Sequence, residues 1–208
     1  MPLPPRLVLI ILSQRCGKEK GDDIPLRYNS IMSDYSIRFP TTKERLEKIE
    51  VITESKKLLP KITDLMYKPK GKGLDEYDPK LICMRLRVFE DQSATLVELR
   101  VIKKDVGYTD ERTDYGKGTK EELEVKLEDM GYEFWGGMET TSWEYIIEVN
   151  REKVMVLYQE NKPVGNLIKI EAPSYESLVK IMEILEITDE EKIERNMVAL
   201  LAEKLEMT

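Results

Sequence analysis

Hydrophobic and charged residues alternate most regularly in residues 84–88 and 96–103. Arg85 and Arg87 alternate with apolar neighbours in the first run, and Glu98 and Arg100 do so in the second. Because successive side chains of a strand point to opposite faces, each run predicts a strand with one apolar and one charged face. A charged face in bulk water is an ordinary sheet surface, whereas one that lines a closed barrel forms a wet channel suited to a polyphosphate.

The same kind of pattern predicts the other elements of the chain. Strands are predicted at residues 35–39, 81–90, 95–103, 142–149, 153–158 and 165–172. Helical spacing after capping signals predicts helices at residues 41–59, 119–130, 173–185 and 188–205. Residues 62–80 and 105–118 are predicted to be loops, the first with a short strand near residues 65–67. Links of hairpin length predict an antiparallel sheet with helices outside it, an α+β fold.

The two ends of the chain are predicted to lie outside this domain. Residues 1–31 mix Pro, Gly and charge without sustained periodicity, so we predict a disordered extension before a domain at residues 32–187. The apolar run 7–12 is too short to cross a membrane, and it is either a loose tail or an added strand. Residues 188–208 are predicted to form a C-terminal helix whose apolar stripe covers the domain or joins two copies into a homodimer.

Composition excludes several classes of function. The net charge of −7 and the pI near 5.0 argue against general nucleic-acid binding, which needs a basic surface. The chain has no histidine, which removes His metal ligands and imidazole acid–base catalysis. The two cysteines are too few for a disulfide framework and indicate free thiols in a reducing cytoplasm. The 35% of charged residues, rich in Lys and Glu, is typical of heat-adapted proteins.

Charged residues recur at alternate positions of several predicted strands. Burying such charges unpaired costs several kcal/mol each, so an enclosed face must be wet, internally paired or filled by an anion with a divalent cation. The alternative is a solvated face whose cross-strand pairs contribute little to stability. The residues concerned are Arg38, Arg85, Arg87, Glu98, Arg100, Glu144, Glu148, Lys169 and Glu171.

Three segments resemble the CYTH superfamily, the triphosphate-tunnel proteins that include class IV adenylyl cyclases and thiamine triphosphatases. They are the Leu-Arg-Val of residues 86–88, the Leu-Glu-Asp-Met-Gly-Tyr of residues 127–132, and the Gly-Asn-Leu-Ile-Lys-Ile-Glu of residues 165–171. Their order, with a strand that ends at Lys103, extends the resemblance over residues 35–187. The resemblance implies an antiparallel β-barrel or tunnel with external helices.

The resemblance also implies a ligand and its binding residues. Family members hold a triphosphate-containing small molecule with basic residues and bind Mg²⁺ or Mn²⁺ with acidic ones. In this chain Arg85, Arg87 and Lys103 would bind phosphate and Glu171 would bind the metal. With the charged-face pattern, the expected phosphate ligands are Arg38, Arg85, Arg87, Arg100, Lys103 and Lys169, and the expected metal ligands are Glu98 and Glu171. The expected function is metal-dependent binding of an organic or inorganic triphosphate and, if the chain is an enzyme, its hydrolysis or an adenylyl cyclase-like reaction.

The chain departs from the family pattern on several strands, the first and the last among them. The family's first-strand Glu-x-Glu-x-Lys has no counterpart in residues 35–39, and Lys169 replaces the first glutamate of the closing Glu-Ile-Glu. These departures favour an alternative, a non-catalytic scaffold or interaction module that has lost its metal site. Trp135, Trp143 and Tyr145 are expected either to pack in the core or to stack a base at the tunnel mouth.

Overall fold

The computed structural model of the chain describes residues 35–74, 76–77, 82–103, 108–193 and 195–206. The predicted extension 1–31 and its apolar run 7–12 lie outside the described residues. The described residues form strands β1 (Tyr35–Pro40), β2 (Ser55–Leu58), β3 (Ile62–Pro69), β4 (Ile82–Phe89), β5 (Ser93–Lys103), β6 (Tyr108–Thr119), β7 (Tyr132–Val149), β8 (Glu152–Lys162) and β9 (Gly165–Ala172). The helices are α1 (Lys43–Ile52), α2 (Lys120–Asp129), α3 (Tyr175–Ile184), a 3-10 turn (Asp189–Glu191) and α4 (Met197–Glu206).

All nine strands of the described chain join one antiparallel sheet, which confirms the predicted α+β class. The order across the sheet is β1-β9-β8-β7-β3-β4-β5-β6, and β2 pairs with β7 beside β3. Among the described residues β1 and β6 do not pair, so the sheet is not closed by strand pairing. The long strand β7 joins the two halves of the sheet because it pairs with β8 on one side and with β3 on the other.

Several elements differ from the sequence prediction. The first helix ends at Ile52, and residues predicted to continue it form β2 on β7. The predicted loops contain the full strands β3 and β6, and β7 starts ten residues earlier than predicted, at Tyr132 rather than residue 142. The strand β6 was not predicted because its sequence shows no apolar alternation. It is an edge strand, and its described side chains are mostly exposed.

One face of the sheet, here the outer face, is covered by α1, α2 and α3. On the half formed by β1, β7, β8 and β9, buried residues such as Phe39, Ile168 and Ile170 pack with α1 and α3, and Trp143 and Tyr145 belong to this core. On the half formed by β4 and β5, Leu86 and Leu96 pack with α2. Apolar residues therefore face these helices, as the alternation predicted.

The α2 helix begins and ends as its sequence predicts. The Thr119 hydroxyl accepts a hydrogen bond from the Glu122 amide at 3.3 Å, and the Glu122 carboxylate accepts one from the Thr119 amide at 2.9 Å. Gly131 follows the helix with a φ of +79°, a conformation that favours glycine. No helix in the described part of the chain is long and apolar enough to cross a membrane.

The opposite face, which carries Asp64, Arg85 and Arg87, is here called the inner face. The α4 helix packs on it, since its Val198 and Leu201 are buried in one cluster with inner-face residues that include Met66. A Cβ atom on Gly136 would lie 2.8 Å from the Leu205 Cδ1 atom, so glycine permits this close approach.

The prediction of an external helix from residue 188 is therefore corrected. The capping box at Thr188 precedes only the 3-10 turn. The α4 helix starts after Asn196, whose side-chain oxygen accepts a hydrogen bond from the Ala199 amide at 2.7 Å. Because the apolar stripe of α4 contacts the chain's own sheet, the homodimer through this helix stays a prediction.

Candidate functional site

A buried carboxylate on β3 lies beside two guanidinium groups on β4. Asp64 is directly opposite Arg87 in the β3–β4 ladder. The Arg87 Nε and Nη2 atoms donate hydrogen bonds of 2.7 and 2.8 Å to the two Asp64 oxygens. The Arg85 Nη1 atom lies 3.8 Å from Asp64 Oδ2, and Asp64 is only 3% exposed. The single carboxylate of Asp64 is thus shared by two guanidinium groups, and Arg87 is the one that binds both of its oxygens.

Burial and charge act on the cluster in opposite directions. Burial acts to raise the pKa of Asp64, but the hydrogen bonds from Arg87 and the charges of both arginines bring it below its ordinary value. Burial lowers the pKa of Arg85, an effect that Asp64 opposes and Arg87 reinforces. The buried Arg85 Nε atom has no hydrogen-bond partner among the described residues. Arg85 therefore has a buried donor for which the described residues supply no acceptor.

A second charged cluster lies on β1 and β9, on the same inner face. Arg38 is opposite Lys169 in the β1–β9 ladder, and Lys169 is opposite the inner-face residue Leu157 of β8. The Lys169 ammonium forms an ion pair with the Glu171 carboxylate, and both side chains are mostly buried. The structure therefore brings the predicted residues Arg38, Lys169 and Glu171 together, but in a cluster separate from Arg85 and Arg87 in the sheet order.

The structure corrects the expected position of Glu98 and Arg100. In the β4–β5 ladder Arg85 is opposite Val97, whereas Glu98 is opposite Met84. Glu98 and Arg100 consequently lie on the outer face and cannot join a site with Arg85. Alternation within β5 did not indicate which of its faces is the inner one, because both faces carry buried apolar residues. Lys103 is the last residue of β5, and its side chain is not among those that the structure describes.

Sequence reasoning missed Asp64, the residue at the centre of the first cluster. Its segment was predicted to be loop because two Gly and two Pro occur among the polar residues of 62–80. A carboxylate within a run rich in Ile, Leu, Met and Tyr was the available signal, since such a group is buried only with a positive partner. Its partners Arg85 and Arg87 lie on β4, and no local sequence pattern identifies the pairing of β3 with β4.

The carboxylates of the inner face do not fit the expected Mg²⁺ or Mn²⁺ site. Both oxygens of Asp64 accept hydrogen bonds from Arg87, and the Glu171 carboxylate is paired with Lys169. Glu98 lies on the opposite face of the sheet. Within the described ranges no three Cys, Asp or Glu side chains converge as a metal site would require.

No protein-family model matches the chain, and no curated protein matches it in sequence. Solved structures do share its fold. A Pyrococcus horikoshii protein matches with a TM-score of 0.60 and 18% identity, covering 82% of this chain and 98% of that protein. A proposed adenylate cyclase from Vibrio parahaemolyticus matches with a TM-score of 0.53 and 14% identity, covering 80% and 96%.

A proposed adenylyl cyclase from Hippeastrum with a dominant triphosphatase activity also matches. Its TM-score is 0.53 at 10% identity, over 82% of this chain and 94% of that protein. At these identities the likeness shows the fold. The fold of this chain is CYTH-like, and its sequence is divergent.

Proposed function

We propose that this protein binds a triphosphate-containing small molecule on its inner face, with Arg85 as the principal phosphate ligand. The observation that carries the proposal is the position of Arg85. Its Nη1 atom lies 3.8 Å from Asp64, whose two oxygens already accept hydrogen bonds from Arg87, and its buried Nε atom has no hydrogen-bond partner among the described residues. A phosphate oxygen would supply both a negative charge and the missing acceptor. A guanidinium suits this role because its fork of donors matches phosphate geometry.

Two further arginines support binding at this position. Arg112 of β6 is opposite Leu99, which shares the inner face with Arg85, and its charge contributes to lowering the pKa of Arg85. Arg112 is about half exposed and pairs with Asp114 at 2.8 Å, so it could contact the more accessible part of a phosphate chain. Arg87 would contribute charge while two of its nitrogens hold Asp64.

The other predicted ligands are proposed only as secondary phosphate contacts. Arg38 and Lys169 would meet only a ligand long enough to reach β1 and β9, and Lys103 is a prediction from the sequence alone. Hydrolysis through a protein-bound metal has no support from the positions of Glu98 and Glu171. We therefore propose binding, without turnover, as the function.

A second candidate is the non-catalytic scaffold. The internal pairs Asp64–Arg87 and Lys169–Glu171 favour it, because they satisfy charges that a ligand or metal would otherwise use. The packing of α4 against the inner face favours it as well, since a helix occupies part of the surface that a ligand would need.

Thermal unfolding in the presence of tripolyphosphate, ATP or thiamine triphosphate separates the two candidates. A ligand that binds the folded state raises Tm according to its concentration relative to Kd. We expect a rise at millimolar ligand for the unmodified protein and none for Arg85→Met. The matched control is Lys43→Met, since Lys43 is an exposed cation of α1. If none of the three ligands shifts Tm, the scaffold is the better description, and phosphate release would show an enzyme instead.

A further inference from the structure

Asp64 is placed so that its charge controls how strongly the inner face attracts an anion. It is the buried carboxylate that contacts both Arg85 and Arg87. With Asp64 ionised, the three side chains carry two positive charges and one negative charge. Without that carboxylate Arg85 and Arg87 would lose the negative charge that they share. Asp64 therefore acts as an internal counter-ion, already present before any ligand arrives.

An internal counter-ion changes what a divalent cation would do at this site. A protein-bound metal offsets the repulsion between a phosphate chain and the carboxylates that hold the metal. Here the Asp64 carboxylate is neutralised by Arg87 through two short hydrogen bonds. A cation placed near Arg85 would meet that residue and Arg112, which share a face of the sheet. Like charges at short range repel, so the site offers a metal no favourable position.

We infer that the inner face takes a phosphate chain free of divalent metal, with Arg85 as its ligand and Asp64 as the residue that limits its affinity. This inference rests on the proposed function. Asp64 acts on the ligand only through its charge beside Arg85 and Arg87, and it does not touch the ligand. A Mg²⁺ complex of tripolyphosphate carries less negative charge than the free anion, so Mg²⁺ weakens binding.

The inference gives opposite signs to two effects of one substitution. The Asp64→Asn variant loses a negative charge from the cluster and is less stable without ligand, because two guanidinium groups remain partly buried without a carboxylate. Its affinity for tripolyphosphate rises, because the site then carries one more positive charge. We expect an increase of about tenfold, as for a charge a few ångströms from the ligand. A purely structural role for Asp64 lowers stability and affinity together.

Isothermal titration calorimetry of tripolyphosphate into the full chain tests the inference. The unmodified protein is titrated in EDTA and again with Mg²⁺ in excess over the ligand, and Asp64→Asn is titrated in EDTA. The matched control is Glu47→Gln, which removes a carboxylate from the exposed Lys43–Glu47 ion pair of α1. We expect binding in EDTA, weaker binding with Mg²⁺, about tenfold tighter binding by Asp64→Asn, and a change under about threefold for the control.

The outcomes that overturn the inference differ from those that overturn the proposed function. If the unmodified protein binds only with Mg²⁺, or if folded Asp64→Asn binds no more tightly, the inference is wrong and triphosphate binding stands. If the unmodified protein binds tripolyphosphate under neither condition, the proposed function is wrong, and the inference is wrong as well. If Asp64→Asn does not fold, the comparison of EDTA with Mg²⁺ on the unmodified protein decides.

Discussion

Replacing Asp64 with alanine should destabilise the fold strongly. The Asp64 side chain is 4% exposed and pairs with Arg87 at 2.7 Å, while Arg85 and Arg87 are 16% and 28% exposed. Breaking a buried ion pair by removing one partner costs about 3–5 kcal/mol, because the other charge stays buried. Water reaches part of both guanidinium groups, so we expect a loss of about 2–4 kcal/mol, a large share of an ordinary domain's stability.

Urea denaturation at pH 7, followed by circular dichroism, measures this loss. Arg87→Met and the double variant Asp64→Ala with Arg87→Met complete a double-mutant cycle. The double variant should cost less than the sum of the single ones by about 1–3 kcal/mol, since the second substitution removes a charge that the first left unpaired. Asp114→Ala in the exposed Arg112–Asp114 pair is the control and should stay within about 0.5 kcal/mol of the unmodified protein.

The stabilisation by Asp64 should also depend on pH. The pKa of Asp64 is lowered in the folded protein, against about 3.9 in an unfolded chain. A lowered folded pKa stabilises the fold fully above the unfolded value, and this stabilisation is lost as the pH falls through the folded pKa. The difference between the unmodified protein and Asp64→Ala should therefore be complete at pH 7 and shrink below about pH 4. A cost under about 1 kcal/mol at pH 7, or one that grows on acidification, would refute this reasoning.

Three other substitutions test the fold. Leu201→Ala should lower the free energy of unfolding by about 2–5 kcal/mol in urea denaturation, because this residue of α4 is fully buried. Leu205→Ala should lower it clearly less, because Leu205 is partly exposed. Equal losses would contradict the packing of α4 on the inner face. Thr119→Ala should cost about 1 kcal/mol by the same assay through loss of the α2 cap, and no loss would contradict the capping box. Gly131→Ala should lower Tm because its φ is +79°, and an unchanged Tm would contradict that conformation.

Local patterns predicted the elements whose stability is itself local. The capping box at Thr119 and the end of α2 at Gly131 depend on a few adjacent residues, and the structure confirms both. The strand β4 was predicted because its face toward α2 stays apolar, and β5 was predicted because charged residues alternate in it with buried apolar ones such as Val97 and Leu99. The strand β3 was predicted only as a short strand near residues 65–67, because Gly and Pro recur in the residues that follow it. The strand β6 was missed because it lies at an exposed edge.

The candidate site could be predicted only in part because it depends on pairing between strands. Alternation predicts that Arg85 and Arg87 share a face, and the structure confirms this. Whether Glu98 shares that face depends on the register between β4 and β5, where a difference of one residue moves a side chain to the other side of the sheet. Asp64 joins the arginines through the β3–β4 ladder, a contact between distant parts of the sequence.

A crystal structure of the protein grown with tripolyphosphate in EDTA tests the central claim most directly. We expect a phosphate chain on the inner face, with its oxygens within hydrogen-bond distance of the Arg85 guanidinium and with the Asp64–Arg87 pair intact. A phosphate chain bound elsewhere, or an Arg85 side chain that contacts no phosphate in a crystal that holds the ligand, would contradict it.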